Sequence, residues 1–167
     1  MSPFSKLVWL RTEHPEIFWK DTRFISIKEY VFYKMFGKFI VDYSTASATG
    51  LFNLKMLDWD EEALKVVWVT RDQHSKLVPT TEILTGAYEE HSKFMGVDKK
   101  TPFVVGASDG VLSNLGVNKM ELGVIAATIG TSGAIRTVVE KPRTDPKGRI
   151  FCYALTEKHW VIGGICQ

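Results

Sequence analysis

The spacing of apolar residues changes near residue 120. Before it, apolar positions recur at helical spacing in segments punctuated by Gly, Pro or a Ser/Asp cap; after it they come in short β-branched runs. Residues 4–11 carry Leu7, Val8 and Leu10 at helical spacing and stop before His14-Pro15. Ser26-Ile27-Lys28-Glu29 has the form of a capping box, in which Ser26 caps the N3 amide while Glu29 reaches back. It opens a predicted helix through Tyr30, Val31, Tyr33 and Met35 to Gly37, with that apolar stripe expected in the core. Residues 38–41 predict a short strand or extended link. Asp58-Trp59-Asp60-Glu61 repeats the capping pattern ahead of Leu64, Val67 and Trp68. Residues 77–81 read as a loop, Ile83-Leu84 as a brief strand, and 87–95 as an amphipathic helix closed by Gly96. His74 and His91 stand among polar neighbours and are expected at the surface.

Two stretches carry chemistry. The run Thr101-Pro102-Phe103-Val104-Val105 predicts a buried strand over 102–105, since Pro102 fits only at its start. It leads into Gly106-Ala107-Ser108-Asp109-Gly110 and then a short helix ending at Gly116. A glycine-flanked acid at a strand-to-helix turn aims its carboxylate into the crevice where α/β sheets bind ligands. After another apolar strand, residues 122–129, comes Gly130-Thr131-Ser132-Gly133. Its glycines let backbone N–H groups approach an anion, and Thr131 and Ser132 add hydroxyl donors. A carboxylate and a phosphate cradle one strand apart point to phosphoryl transfer onto a hydroxyl. Residues 134–139, 150–154 and 160–162 are further short strands, and with 122–129 they predict an antiparallel meander. A helix-rich part meeting a sheet predicts a boundary near 117–121, with residues 1–118 in one domain and 119–167 in the next. A sheet layer needs a covering helix, and none follows Gly163-Gly164, so the polypeptide is expected to be cut short.

Other readings of these residues stay open. Asp109 is equally suited to capping the helix by accepting from the amides of 111 and 112, and the glycine turn to being a hairpin loop. Gly106-Ala107-Ser108-Asp109-Gly110 also matches the G-x-S-x-G elbow of serine hydrolases, with Asp145 and His159 following in that order. Against it, no His-Gly-Gly-Gly-type oxyanion segment precedes Ser108, and Asp145 lies in a proline-bracketed loop. The run Asp42-Tyr43-Ser44-Thr45-Ala46-Ser47 is poor core material, so something packs closely or hydrogen-bonds there, with Asp42 or Ser44 expected to cap a short helix. Composition narrows the classes. With 167 residues, 45% apolar and 24% charged, the chain is globular rather than disordered. A net charge of +2 argues against nucleic acid or an anionic membrane as partner. Two cysteines, Cys152 and Cys166, without metal-ligand spacing favour a reducing cytoplasm, and no signal or membrane-spanning pattern is present.

The order of motifs resembles the FGGY carbohydrate kinases, and among them the gluconokinases. The pieces that carry the resemblance include Ser5-Lys6-Leu7 with Trp9-Leu10, Asp42-Tyr43-Ser44-Thr45-Ala46-Ser47 with Thr49-Gly50-Leu51-Phe52-Asn53, and Leu57-Asp58-Trp59. Lys76-Leu77-Val78-Pro79, Gly106-Ala107-Ser108-Asp109-Gly110, Ile129-Gly130-Thr131-Ser132-Gly133 and Gly163-Gly164 complete them. The resemblance implies an α/β, actin-like (ribonuclease H-like) ATPase fold, incomplete here, with the active site in a cleft between two domains. It implies ATP and Mg²⁺ as cofactors and a sugar or sugar acid as substrate, gluconate first and glycerol or xylulose as alternatives. Asp109 then corresponds to the catalytic base, Ser108 to a neighbouring substrate contact, and Gly130, Thr131, Ser132 and Gly133 to the nucleotide phosphate turn. Asp42, Ser44 and Ser47 become supporting residues. The family's metal-associated aspartate and its adenine-binding half fall outside the stretches that match, so no metal ligand is assigned and the chain alone is expected to be inactive. A non-catalytic actin-like nucleotide-binding module would keep the turn without needing Asp109. A chain split across two domains also exposes apolar surface, which predicts self-association into a homo-oligomer.

Overall fold

The computed structural model describes residues 2–117, 121–130 and 133–166. Helix α1 (Pro3–Glu13) begins where Ser2 accepts from the Ser5 amide, and ends one residue short of His14-Pro15. Helix α2 (Ile27–Phe36) opens on the expected capping box: the Ser26 hydroxyl accepts from Glu29 N–H at 3.3 Å and Glu29 accepts from Ser26 N–H at 2.6 Å. Its buried side is not the expected stripe. Tyr30, Val31 and Tyr33 face solvent, while Phe36, with Phe32 and Met35 beside it, packs on Val78, Leu84, Ala87 and Val105. Of the expected stripe only Met35 packs inward, because aromatic and β-branched residues occupy both faces of α2 and the helical period alone does not select one.

Strand β1 (Ile40–Asp42) runs into the short helix α3 (Tyr43–Ser47), and Asp42 is the residue that caps it. The β2 (Phe52–Asn53) and β3 (Asp58–Trp59) hairpin precedes α4 (Glu61–Val67), whose first amides are capped by Asp60. The expected loop at 77–81 is half strand: β4 (Lys76–Val78) pairs in parallel with β1, Asp42 opposite Val78. Proline at 79 marks the end of that strand and not its absence. His74, expected at the surface, is buried at 7% exposure against the Trp59 ring, 4.6 Å between centroids. Strands β5 (Ile83–Leu84) and β6 (Phe103–Val104) form a two-residue antiparallel pair flanking α5 (Glu89–Met95). Strand β6 is shorter and less buried than the sequence predicts: Val104 is solvent-facing, Phe103 is half-buried against Phe36, and Val105 just past the strand is in the core.

The second part is a sheet of β7 (Ile125–Ile129), β8 (Gly133–Val139), β9 (Phe151–Ala154) and β10 (Trp160–Cys166). Neighbours are antiparallel as expected, but the order is β7-β8-β10-β9, so it is not a meander. The link across 155–159 is short and closed by Leu155 and Thr156 amides on the His159 carbonyl, which makes β9 and β10 a hairpin. The longer 140–150 link lets β9 pass to the far edge, leaving β10 to pair with both neighbours. Gly163 allows this: a methyl group there would stand 2.3 Å from the Ile135 carbonyl oxygen.

The two parts share one core. Leu7, Val41, Leu51, Trp59 and Leu64 pack in the same cluster as Cys152, Ala154 and Trp160. Burying each large apolar side chain there contributes roughly 1.5–3 kcal/mol. Polar contacts add to the join. The Ser47 hydroxyl accepts from Ala154 N–H at 3.0 Å, and Thr80 Oγ1 donates to the Leu155 carbonyl at 2.6 Å.

Candidate active site

After Val105 the chain turns at Gly106, whose φ of +71° suits glycine, and its amide bonds the Thr80 carbonyl at 2.9 Å. Helix α6 (Asp109–Gly116) then starts with Ser108 in the N-cap position and Asp109 as its first residue. Asp109 is therefore not the cap. The amides of Val111 and Leu112 bond the Ser108 carbonyl, and the Asp109 carboxylate, exposed to solvent, accepts from its neighbour Gly110 N–H at 2.6 Å.

The loop is braced from α3. Asp42 and Ser44 are both fully buried. Asp42 accepts from Thr45 N–H at 2.9 Å, from the Thr45 hydroxyl at 2.7 Å, and from the Lys28 ammonium at 2.6 Å. That ammonium also reaches the Gly106 carbonyl at 3.3 Å. The Ser44 hydroxyl lies 2.9 Å from the Ser108 hydroxyl and accepts from Ser108 N–H at 3.2 Å. Two of the three residues expected to support the site, Asp42 and Ser44, thus stand against the loop, whereas Ser47 is engaged with the Tyr43 carbonyl and with β9.

The hydrolase constellation does not assemble. Ser108 has extended backbone (φ −67°, ψ 151°), and the positive φ falls at Gly106, so there is no strained nucleophile elbow. Asp145 is paired with Arg149 at 2.7 and 2.9 Å, and that guanidinium holds its carboxyl down to about 2. His159 Nδ1 meets the Thr156 hydroxyl at 3.0 Å.

On the other side, β7 and β8 stay paired up to Ile129 opposite Gly133. Gly130 and Ile129 are exposed there, and Thr131 and Ser132 lie outside the described residues. The absence of side chains at Gly130 and Gly133 leaves the backbone at the open end of this ladder approachable by an anion such as a nucleotide phosphate. Arg136 of β8 reaches back to α6. A methyl group on Gly110 would stand 3.2 Å from its Nη2, and Nη1 donates to Thr128 Oγ1 at 2.8 Å. Among the described residues no group of three or more His, Cys, Asp or Glu side chains could hold a metal ion.

Lys28 and Arg136 were not legible as site residues. Lys28 sits inside a capping box, where the sequence signal belongs to Ser26 and Glu29, and Arg136 sits in a strand with no motif around it.

A gluconokinase of Bacillus subtilis (strain 168) is 62% identical over 164 residues, 98% of this chain and 32% of the relative. Crystal structures of a gluconate kinase and of a ligand-bound xylulose kinase, both from Lactobacillus acidophilus, each superpose with a TM-score of 0.93 at 38% identity. Each match covers 98% of this chain, with 34% of the xylulose kinase chain and 33% of the gluconate kinase chain. The chain thus spans about a third of the length of the relatives it matches. The profile of the FGGY family of carbohydrate kinases, N-terminal domain, matches residues 1–116, and it is to this family that the chain belongs.

Proposed function

We propose that the full-length protein carrying this chain is an actin-like, ATP-dependent kinase that phosphorylates a hydroxyl of gluconate to give phosphogluconate. Residues 1–118 close its first domain and 119–167 open its second, a division supported by the N-terminal profile ending at residue 116. The boundary itself falls on residues 118–120, outside those described. The observation that carries the reading is the Asp109 carboxylate: solvent-exposed, in the first turn of α6, on a loop fixed by buried polar groups.

Asp109 holds the substrate hydroxyl and takes its proton as that oxygen bonds the γ-phosphorus and the bond to the bridging oxygen breaks. ATP supplies the phosphoryl group. Backbone N–H groups at Gly130 and Gly133, with the Thr131 and Ser132 hydroxyls, hold its phosphates; Mg²⁺ accompanies the nucleotide. Ser108, with hydrogen-bonding capacity left beyond Ser44, contacts the sugar acid next to the base. Gluconate is preferred because of the 62% identity to a gluconokinase. Xylulose is the second reading, favoured by the equal structural match to a xylulose kinase. A cytoplasmic setting fits the cysteine usage.

An ADP-release assay on the full-length protein across gluconate, xylulose and glycerol tests this, with Asp109→Asn alongside. Turnover on gluconate that falls about 10²- to 10⁴-fold in the variant supports the reaction and the base. Turnover on xylulose alone keeps the base and replaces the substrate. ATP binding without turnover on any sugar selects the non-catalytic module.

A further inference from the structure

We propose that Lys28 is a positioning residue, whose ammonium ties buried Asp42 to the Gly106 carbonyl and so fixes the loop that presents Asp109. The inference rests on reading Asp109 as the base. Lys28 lies 78 residues before Gly106 in the chain, on α2, and nothing in its local sequence requires this contact. An ammonium has three donors, and two of them are spent here, on a carboxylate and on a backbone carbonyl.

The tether is stiff at its anchored end. Asp42 is fully buried, and its carboxylate already accepts from the Thr45 amide and hydroxyl at the start of α3. A carboxylate in that position needs several donors to offset its lost hydration, so its orientation is set before Lys28 arrives. The Lys28 ammonium lies 6.0 Å from the centre of the Phe32 ring, one turn further along α2. From this fixed point the second bond reaches Gly106, the turn from which the chain enters Ser108 and Asp109. Ser44 grips the same loop two residues further on. The Gly106 amide is already held by the Thr80 carbonyl; Lys28 fixes the carbonyl of the same residue and Ser44 the Ser108 amide, and together they define the direction in which Asp109 projects. A purely structural ion pair would need only the Asp42 bond. The bond to Gly106 is what couples Lys28 to the site.

The test uses the full-length protein with gluconate and ATP. The variants are Lys28→Met, Lys28→Arg and the double variant Lys28→Met/Asp42→Asn, which removes the tether without orphaning a buried charge. The expected result is a fall in kcat of about 10²-fold in Lys28→Met and in the double variant, with KM for ATP within about twofold of wild type. Lys28→Arg, which keeps a cation with several donors, recovers most of the loss. Amide hydrogen exchange over 105–110 accelerates in the two Met variants. In the Asp109→Asn background, Lys28→Met lowers residual turnover by no more than about twofold, since both act through one group. A double variant with wild-type kcat, or an undiminished loss in the Asp109→Asn background, would overturn the inference while Asp109→Asn itself stays inactive. Wild-type turnover in Asp109→Asn would overturn the base reading, and this inference with it.

Discussion

The two halves of the candidate site are held by different means. The loop from Gly106 to Gly110 is gripped by side chains from distant parts of the chain, Lys28, Ser44 and Asp42, two of them fully buried. On the other side, backbone pairing of β7 with β8 brings Ile129 opposite Gly133, and Ile129 there is 92% exposed. One half is therefore sensitive to polar side chains far away in sequence, and the other to anything that disturbs a strand ladder. A base that must meet a proton within hydrogen-bond distance gains from side-chain bracing, whereas a phosphate cradle made of amides needs only its backbone in place.

The comparison can be broken at either end. The largest effect is expected at Gly163, whose added methyl would meet the Ile135 carbonyl oxygen at 2.3 Å. Gly163→Ala should destabilise by about 3 kcal/mol, read from the urea midpoint, and should raise KM for ATP through the β8 ladder. An effect confined to kcat would show that the turn does not depend on that ladder. Acidification should loosen the core beneath the first part of the chain, where His74 packs on Trp59. Burial pushes the His74 imidazole down from 6.5 to about 4, against a hydrogen bond to the Phe24 backbone that raises it. Between those values the unfolded chain binds the extra proton, so stability falls as pH drops through the window and levels off below it. At about 1.4 kcal/mol per unit the loss is about 3 kcal/mol, and His74→Phe should lack it when unfolding is followed against pH.

Ser44→Ala comes next. It leaves the Ser108 amide without its partner and should cost about 1–2 kcal/mol, with kcat falling and KM for ATP unchanged. A parallel rise in KM for ATP would mean that the bracing reaches the turn as well. The smallest effect is expected at Ile129→Thr, within about 0.5 kcal/mol of wild type by thermal unfolding, because the side chain it replaces is already in water.

What the sequence made legible follows the range of the forces involved. The Ser26–Glu29 capping box, the Asp42 cap and the stops at Gly37 and Gly96 act over three or four residues, and each stands where it was expected, while the capping pattern over 58–61 resolves to a cap at Asp60, two residues past Asp58. The acid loop and the start of α6 were legible for the same reason, although the helix begins one residue earlier than a cap at Asp109 would require. Parallel pairing of β1 with β4 has no local signature, and polar neighbours disguised both that strand and the buried His74. The place of β10 between β8 and β9 depends on link lengths weighed against each other. Lys28 could not be found by spacing at all, since its partners Asp42 and Gly106 lie 14 and 78 residues away.

The core shared by the two parts sets a schedule for synthesis. Leu7 and Trp160 belong to one buried cluster, so the inner face of α1 has no complete partner until β10 has left the ribosome. At about 5–20 residues per second, that wait is on the order of ten seconds or more. Throughout it, the apolar side of the nascent helices is open to chaperones.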